Sequence, residues 1–233
     1  MALVGDLAQK YPQIDRSRVY VTGLSAGGAH SFYMGLAYSN VFAAAAPISG
    51  VNAMDDEIAQ LDLSQVHEIP LLYICGDHDY FQMIPVDGSS PYGMSLLTDG
   101  QVSMWADDPH THIWSAIQAY RTVNGLPLTE MDMTANPYYG IALDDQRWVT
   151  LGDKEMYTGT LSNDKGVMIE LAAVKDLAHW NYAPEAEYVY DFFKNYSRDL
   201  ETGELIVHDP TILEQFADWC GDVADDLSTR LGL

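Results

Sequence analysis

Lysine and arginine are scarce in this sequence, which holds 11 of them against 34 aspartates and glutamates in 233 residues, a formal charge of −23. A surface of this charge repels phosphate backbones and offers no basic stripe, so a nucleic-acid partner is not expected. The acidic residues fall in short clusters such as residues 55–57. This pattern is typical of a solvated surface.

Cysteine is also rare, and long apolar runs are missing. Cys75 lies within an apolar run and Cys220 lies far along the chain, so both are predicted to be reduced core residues, and a structural disulfide is the alternative. No segment approaches the roughly 20 apolar residues that span a bilayer, and residues 1–3 open an amphipathic segment and not a secretory signal. We therefore expect no membrane contact, and the sequence carries no address that fixes a compartment.

What the sequence does contain is an alternation of short apolar runs with helical patterns. Hydrophobic residues make up 48% of the chain, enough for one substantial core. Strands are predicted at 18–23, 43–49, 69–75 and 167–174, and helices at 26–38, 113–124 and 184–198. The second and third strands are apolar on both faces, as in a parallel sheet covered by helices on both sides. The predicted fold class is therefore α/β, with a mostly parallel sheet flanked by helices.

Three further segments complete the predicted organisation. Residues 80–112 are rich in Gly, Pro, Ser and aromatic residues without periodicity, which is typical of a lid-like insertion over a site. Residues 147–161 are predicted to form one or two short extra strands, and residues 211–230 a C-terminal helix. We expect one domain over residues 1–199 and a C-terminal extension over residues 200–233.

The most informative motif is the G-x-S-x-G sequence at residues 23–27. It follows an apolar strand and precedes a helical run, which is the setting of a nucleophile elbow. In that turn a serine stands clear of the sheet, at a helix N-terminus that favours negative charge. Ser25 is therefore the candidate nucleophile, and the backbone N–H of Ala26 is a candidate oxyanion donor. A Gly- and Ser-rich turn that only connects two elements is the alternative.

A serine nucleophile needs a base and an orienting acid. The sequence Gly76-Asp77-His78-Asp79 directly follows an apolar strand, at the sheet edge where open α/β proteins assemble their sites. Asp79 is favoured over Asp77 because a residue farther into the loop reaches back more easily toward an imidazole. The alternative is that both aspartates serve only as turn residues.

His179 is the candidate base. It lies in a loop between the predicted strand at 167–174 and the helix opening near Pro184, so it also follows a strand. Three other histidines do not follow a strand. His30 lies in a predicted helix, His67 precedes a predicted strand, and His208 lies in the C-terminal extension. The chain order of serine, aspartate and histidine is that of α/β-hydrolases.

Ligand-binding residues are less sharply defined by the sequence. Tyr80, Trp105 and Trp180 are candidates for an apolar or aromatic wall around an acyl or aryl group, and the alternative is that they pack the lid. The pair His110 and His112 would bind a metal only with further ligands that the sequence does not reveal. We expect no metal and no other cofactor.

The stretch Tyr11-Pro-Gln-Ile-Asp-x-x-Arg-Val-Tyr-Val-Thr-Gly-Leu-Ser-Ala-Gly-Gly28 resembles the nucleophile region of the polyhydroxybutyrate depolymerase and feruloyl esterase family. Further similarities are Asn124-Gly125, Leu177-Ala-His-Trp180 and Tyr190-Asp-Phe-Phe193, so the resemblance covers most of residues 8–197. It implies an α/β-hydrolase that cleaves carboxylic esters through a Ser-His-Asp triad and an acyl-enzyme. The surroundings of the acid and the base also suit prolyl-oligopeptidase-like serine peptidases.

The sequence departs from that family before the elbow. Family members carry an N-terminal portion with several strands and an oxyanion loop, whereas this sequence opens in the helix before the elbow strand. A second oxyanion donor is therefore not located, and the strand at 19–21 is expected at an open sheet edge. We expect a shortened form of a longer enzyme, or an assembly in which a second copy or a complementing chain covers that edge. The expected substrate is a small-molecule or polymer-linked ester, and a non-catalytic α/β-hydrolase-like binding protein is the remaining alternative.

Overall fold

The computed structural model describes residues 2–50, 55–81, 83–92 and 112–208. The helices are α1 (Ala2–Lys10), α2 (Ala26–Ala37), α3 (Asp55–Ala59), α4 (His112–Val123) and α5 (Glu185–Phe193), with a 3-10 turn at Leu63–Gln65. The strands are β1 (Tyr20–Leu24), β2 (Ala44–Ile48), β3 (Leu71–Gly76), β4 (Asp144–Leu151), β5 (Lys154–Asn163), β6 (Gly166–Val174), β7 (Tyr196–Arg198) and β8 (Leu205–Val207). In these described segments, no helix combines the length and apolar character needed to cross a membrane.

Six strands form one sheet in the order β1-β2-β3-β6-β5-β4, and β7 pairs with β8 in a small second sheet. The first four strands of the large sheet pair in parallel. The strand β5 runs antiparallel to both β6 and β4. The predicted α/β class, with a mostly parallel sheet flanked by helices, is confirmed, and β1 lies at one edge of that sheet.

Burial explains why the central segments are strands. Every residue of β3 is buried, and so is every residue of β2 except Ile48. The four alanines at residues 43–46 favour a helix in isolation, but their small side chains leave room for helices close to the sheet. The buried position of the segment therefore overrides its intrinsic preference.

Successive residues of β2 point to opposite faces of the sheet. On one face, a Cβ added to Gly35 of α2 would lie 2.9 Å from the Cβ of Ala45, and Tyr120 of α4 donates its hydroxyl hydrogen to the Phe32 carbonyl of α2 over 2.9 Å. Helices α2 and α4 thus cover this face together. Helix α5 lies over the other face, where its Val189 lines one cavity together with Ile48 of β2. Its last residue, Phe193, stacks on Tyr20 of the edge strand β1 with ring centroids 4.5 Å apart.

The predicted helix over 184–198 is wrong at its C-terminal end, because α5 ends at Phe193 and residues 196–198 form β7. Arg198 is buried, and its guanidinium donates to the carbonyls of Phe42 at 2.9 Å and Glu68 at 2.5 Å. Its burial lowers the pKa of this guanidinium to about 10. An extended chain is what brings this side chain back to the core.

The other predicted elements agree with the structure to within about two residues, and the extra strands are longer than predicted. The segment at 147–161 falls in β4 and β5, which have eight and ten residues. Besides β7, three short elements lie where the sequence predicts none: α3, the 3-10 turn and β8. The helix predicted at 211–230 and most of the lid-like insertion at 80–112 lie outside the described residues.

The close approach of α2 to the sheet gives a stability prediction at Gly28. A Cβ there would lie 2.6 Å from the Ile48 carbonyl oxygen and 3.0 Å from the Gly23 oxygen, both backbone atoms. Gly28→Ala must therefore push α2 away from the sheet, and we expect a loss of about 1–3 kcal/mol in the free energy of unfolding. Urea denaturation followed by circular dichroism measures it.

Gly27→Ala is the matched control, since a Cβ at the neighbouring position meets nothing within 4 Å. Alanine is the better helix former by about 1 kcal/mol, so this variant is expected to be neutral or slightly more stable. Equal destabilisation by the two substitutions would contradict the proposed close contact.

Candidate active site

One repeated hydrogen bond aligns the carboxyl ends of the parallel strands. The residue that follows each of β1, β2 and β3 donates its N–H to a carbonyl of the next strand in the sheet. The three bonds join Ser25 to Ile48 at 3.0 Å, Ser49 to Ile74 at 2.8 Å, and Asp77 to Val174 at 3.0 Å. The first residues of all three loops are thereby fixed to one sheet edge.

Ser25 lies on a strained turn between β1 and α2. Its backbone has φ 61° and ψ −121°, a conformation that a non-glycine residue keeps only where the surrounding structure imposes it. Its side chain does not cap the helix that starts at the next residue. Ala26 opens that helix, and N–H groups of a first helical turn have no intrahelical acceptor. The turn therefore has the strand-turn-helix form predicted for a nucleophile elbow.

Asp79 and His179 are joined by a hydrogen bond between two loops of the sheet edge. His179 Nδ1 lies 2.8 Å from Asp79 Oδ2, and the two side chains are 8% and 0% exposed. Because a carboxylate only accepts, Nδ1 is the donor of this bond, and in the neutral imidazole the lone pair then lies on Nε2. The structure thus places Asp79 against His179, and it places Asp77 elsewhere. An oriented imidazole of this kind can act as a base at Nε2.

Two further donors hold the Asp79 carboxylate. The backbone N–H of Phe81 donates to Oδ1 over 2.9 Å, and Cys75 Sγ lies 3.7 Å from Oδ2. Burial, followed by the negative charge of Asp79, raises the pKa of Cys75 well above its usual value. The thiol therefore stays protonated and can donate. The prediction of Cys75 as a reduced core residue is confirmed, and Cys220 lies outside the described residues.

Aromatic rings border the imidazole of His179. Phe81 and Tyr80 meet it edge to face, with ring centroids 4.6 and 5.4 Å from that of the imidazole. Trp180, the next residue after the histidine, is 70% exposed. Of the three predicted substrate-binding residues, Tyr80 and Trp180 thus lie beside the histidine, and Trp105 lies outside the described residues.

Ser25 and His179 are not directly bonded. Across the described segments, no hydrogen bond joins the Ser25 hydroxyl to the imidazole, whose observed partner is Asp79. The chain after His179 nevertheless returns to the strand that carries the serine, because residues 181–183 line a cavity of about 410 Å³ together with Thr22 and Ile48. The structure therefore brings Asp79 and His179 together and places Ser25 at the same sheet edge.

A buried carboxyl also lines this otherwise mostly apolar cavity. Glu185 is 3% exposed, and its Oε1 has no hydrogen-bond partner in the described part of the chain. Its other oxygen lies 3.4 Å from the Tyr182 backbone nitrogen. Burial raises the pKa of Glu185 to about 7. No sequence pattern marks this residue, because it looks like an ordinary first-turn glutamate of a helix.

Asp77, His78 and Asp176 bring potential metal ligands within 4.8 Å of one another. However, His78 Nδ1 lies 2.6 Å from Asp77 Oδ1, while its Nε2 lies 3.6 Å from Asp176 Oδ1. The two carboxylates therefore lie at different nitrogens of the ring, and one ion binds only one of those nitrogens. The arrangement is that of an imidazole bridging two acids.

Comparisons with known proteins assign no family to this chain. No protein-family model matches it, and no curated protein matches it significantly.

Glu185 predicts how stability varies with pH. Its pKa is about 7 in the folded chain against an ordinary value of 4.5. Between these two pH values the folded state therefore binds more protons than the unfolded state. The free energy of unfolding thus falls as the pH rises through this range, in total by about 3 kcal/mol. Glu185→Gln cannot ionise, so we expect it to exceed the wild type in stability at pH 8 and to match it near pH 4.

Urea denaturation at several pH values measures this difference. Glu187→Gln is the matched control, because Glu187 is an exposed glutamate in the same helical turn and should leave the pH dependence unchanged. A Glu185→Gln protein with the wild-type pH dependence would show that the carboxyl is not buried as described.

Proposed function

We propose that this chain is a serine hydrolase of the α/β-hydrolase fold that cleaves carboxylic esters, with Ser25 as nucleophile, His179 as base and Asp79 as orienting acid. The 2.8 Å hydrogen bond between Asp79 and His179, whose side chains are 0% and 8% exposed, is the observation that carries the proposal. An acid and an imidazole 100 residues apart in sequence meet at the sheet edge that also holds a strained serine. A turn that only connects a strand to a helix does not require this combination of residues.

In this mechanism His179 Nε2 takes the proton from the Ser25 hydroxyl as Oγ attacks the ester carbonyl. The carbonyl electron pair moves to its oxygen, which the Ala26 N–H stabilises. Asp79 holds the Nδ1–H and stabilises the imidazolium. The proton then passes to the leaving alcohol as the C–O bond breaks, and water hydrolyses the acyl-enzyme by the same route. Hydrogen bonds between nucleophile and base are often long before substrate binds.

The surroundings favour a neutral ester. A formal charge of −23 disfavours encounter with anionic substrates. The aromatic rings of Tyr80 and Phe81 beside the base, with the exposed Trp180 next to it, suit an acyl or aryl group. Similarity of the elbow stretch to polyhydroxybutyrate depolymerases and feruloyl esterases supports the same class.

A second polypeptide segment is proposed to complete the site. The outer edge of β1 pairs with no strand in the described part of the chain, and α1, which precedes β1 in the sequence, exposes the apolar side chains Leu3 and Leu7 by 68% and 39%. A second copy or a complementing chain that adds a strand would cover this edge. It would also supply the second oxyanion donor, which is not identified among the described residues.

Labelling with a fluorophosphonate probe tests the hydrolase proposal, because only an activated serine reacts. Ser25→Ala is expected to abolish labelling. His179→Ala is expected to slow it by about 10³-fold or more, and Asp79→Asn by about 10²-fold or more, since the imidazole loses its role or its orientation. Mass spectrometry of the labelled peptide identifies the modified residue.

His67→Ala is the control, because His67 precedes β3 and lies outside the proposed triad; it should label at the wild-type rate. Turnover of p-nitrophenyl esters then separates an esterase from a peptidase, which would cleave peptide amides instead. A folded wild-type chain that neither labels nor turns over either substrate, alone or as an oligomer, would favour the non-catalytic binding protein.

A further inference from the structure

The loops that carry Asp79 and His179 are held against each other over their whole first turn. The N–H of His78 donates to the Leu177 carbonyl at 3.1 Å. A Cβ on Gly76 would lie 1.9 Å from that same carbonyl oxygen, so only glycine permits this approach. The two loops, which follow adjacent parallel strands, therefore touch through their backbones before the acid and the base are reached.

Asp77 adds a side-chain bond between the two loops. Its Oδ1 accepts the N–H of Asp176 at 2.8 Å, and Asp176 precedes His179 by three residues in the second loop. Asp176 has φ 54°, a left-handed conformation that a residue with a side chain adopts at a cost in energy. Lys154 donates to the carbonyl of the same residue at 3.0 Å. Both the N–H and the carbonyl of Asp176 are thus hydrogen-bonded, and these two bonds hold the strained turn before His179.

His78 extends this contact. Its imidazole lies between the Asp77 and Asp176 carboxylates, at 2.6 and 3.6 Å, and the ring of Tyr92 stacks on it with centroids 3.6 Å apart. The side chains of Asp77 and His78 are 16% and 30% exposed. In the described part of the chain, no hydrogen bond or ring contact joins the side chains of Asp77, His78 or Tyr92 to those of Asp79 or His179, so any effect on the pair acts through the loops.

We propose that Asp77 is a positioning residue that, with His78, fixes the turn at Asp176 and thereby sets the hydrogen bond between Asp79 and His179. This inference deepens the proposed function and depends on it for its catalytic meaning. In the sequence Asp77 competes with Asp79 for the role of triad acid. The structure gives the two aspartates different tasks, since one contacts the base and the other holds the loop of the base.

The first test observes the hydrogen bond itself and needs no catalysis. The Nδ1–H proton of His179 is followed by ¹H NMR, and it is assigned by its loss in His179→Gln. In Asp77→Ala we expect this proton to exchange with solvent about tenfold faster or to disappear, because the loop opens more often. Ser25→Ala should retain the signal, which separates this result from the outcome of the labelling experiment.

The second test follows the fluorophosphonate reaction. Asp77→Ala is expected to lower the labelling rate at saturating probe about tenfold, with an unchanged half-saturating probe concentration. Asp77→Asn keeps an oxygen that accepts the Asp176 N–H, so it should restore the rate to within about threefold of wild type. Asp62→Ala is the matched control, because Asp62 makes the same kind of bond to Ser64 N at 3.1 Å beside the 3-10 turn and should change neither readout.

Two results would overturn the inference. The first is a folded Asp77→Ala protein with wild-type proton exchange and, where the wild type labels, wild-type labelling. The second is a His179 signal that vanishes with EDTA and returns with Zn²⁺ or Ca²⁺, because Asp77 and His78 would then act as metal ligands. If wild-type labelling fails altogether, the hydrolase proposal fails, while the NMR comparison still decides the positioning role.

Discussion

The geometry of this sheet edge depends on backbone hydrogen bonds that join the end of each of β1, β2 and β3 to the next strand in the sheet. Each bond fixes the first residue of a loop, so the rigid sheet sets the backbone positions of Ser25, Ser49 and Asp77. Side chains placed on such a support need only short loops to converge. The same bonds explain why the strained turns are tolerated, because the strands on both sides hold them.

Strain is concentrated where chemistry is proposed. Among the described residues, four non-glycine residues have positive φ, and three of them follow strands at the carboxyl edge: Ser25, Ser49 and Asp176. Ser49 also donates its hydroxyl to Cys75 at 3.7 Å, which links the loop after β2 to the thiol beside Asp79. Such outliers persist where the fold over-determines the backbone. The edge therefore combines strained backbone conformations with fixed positions of the residues that carry them.

Much of the fold and part of the site can be predicted from the sequence, because both follow local patterns. Apolar runs give the parallel strands, and strand ends give the positions of Ser25, Asp79 and His179. The end of α5 cannot be predicted from a local pattern, because it depends on the hydrogen bonds of Arg198 to the distant carbonyls of Phe42 and Glu68. The separate task of Asp77 is hidden for the same reason. It accepts from a residue 99 positions away, and no local pattern encodes such a contact.

The acid and the base come from strands that are neighbours in the sheet, yet the chain between them includes α4 and the β4–β5 hairpin. Their pairing has a sequence separation of 100 residues, so a long loop must close before this contact can form. An incomplete or partly unfolded chain thus contains Ser25 without the hydrogen bond between Asp79 and His179. Under the proposed mechanism, the reactivity of the serine therefore depends on completion of the fold.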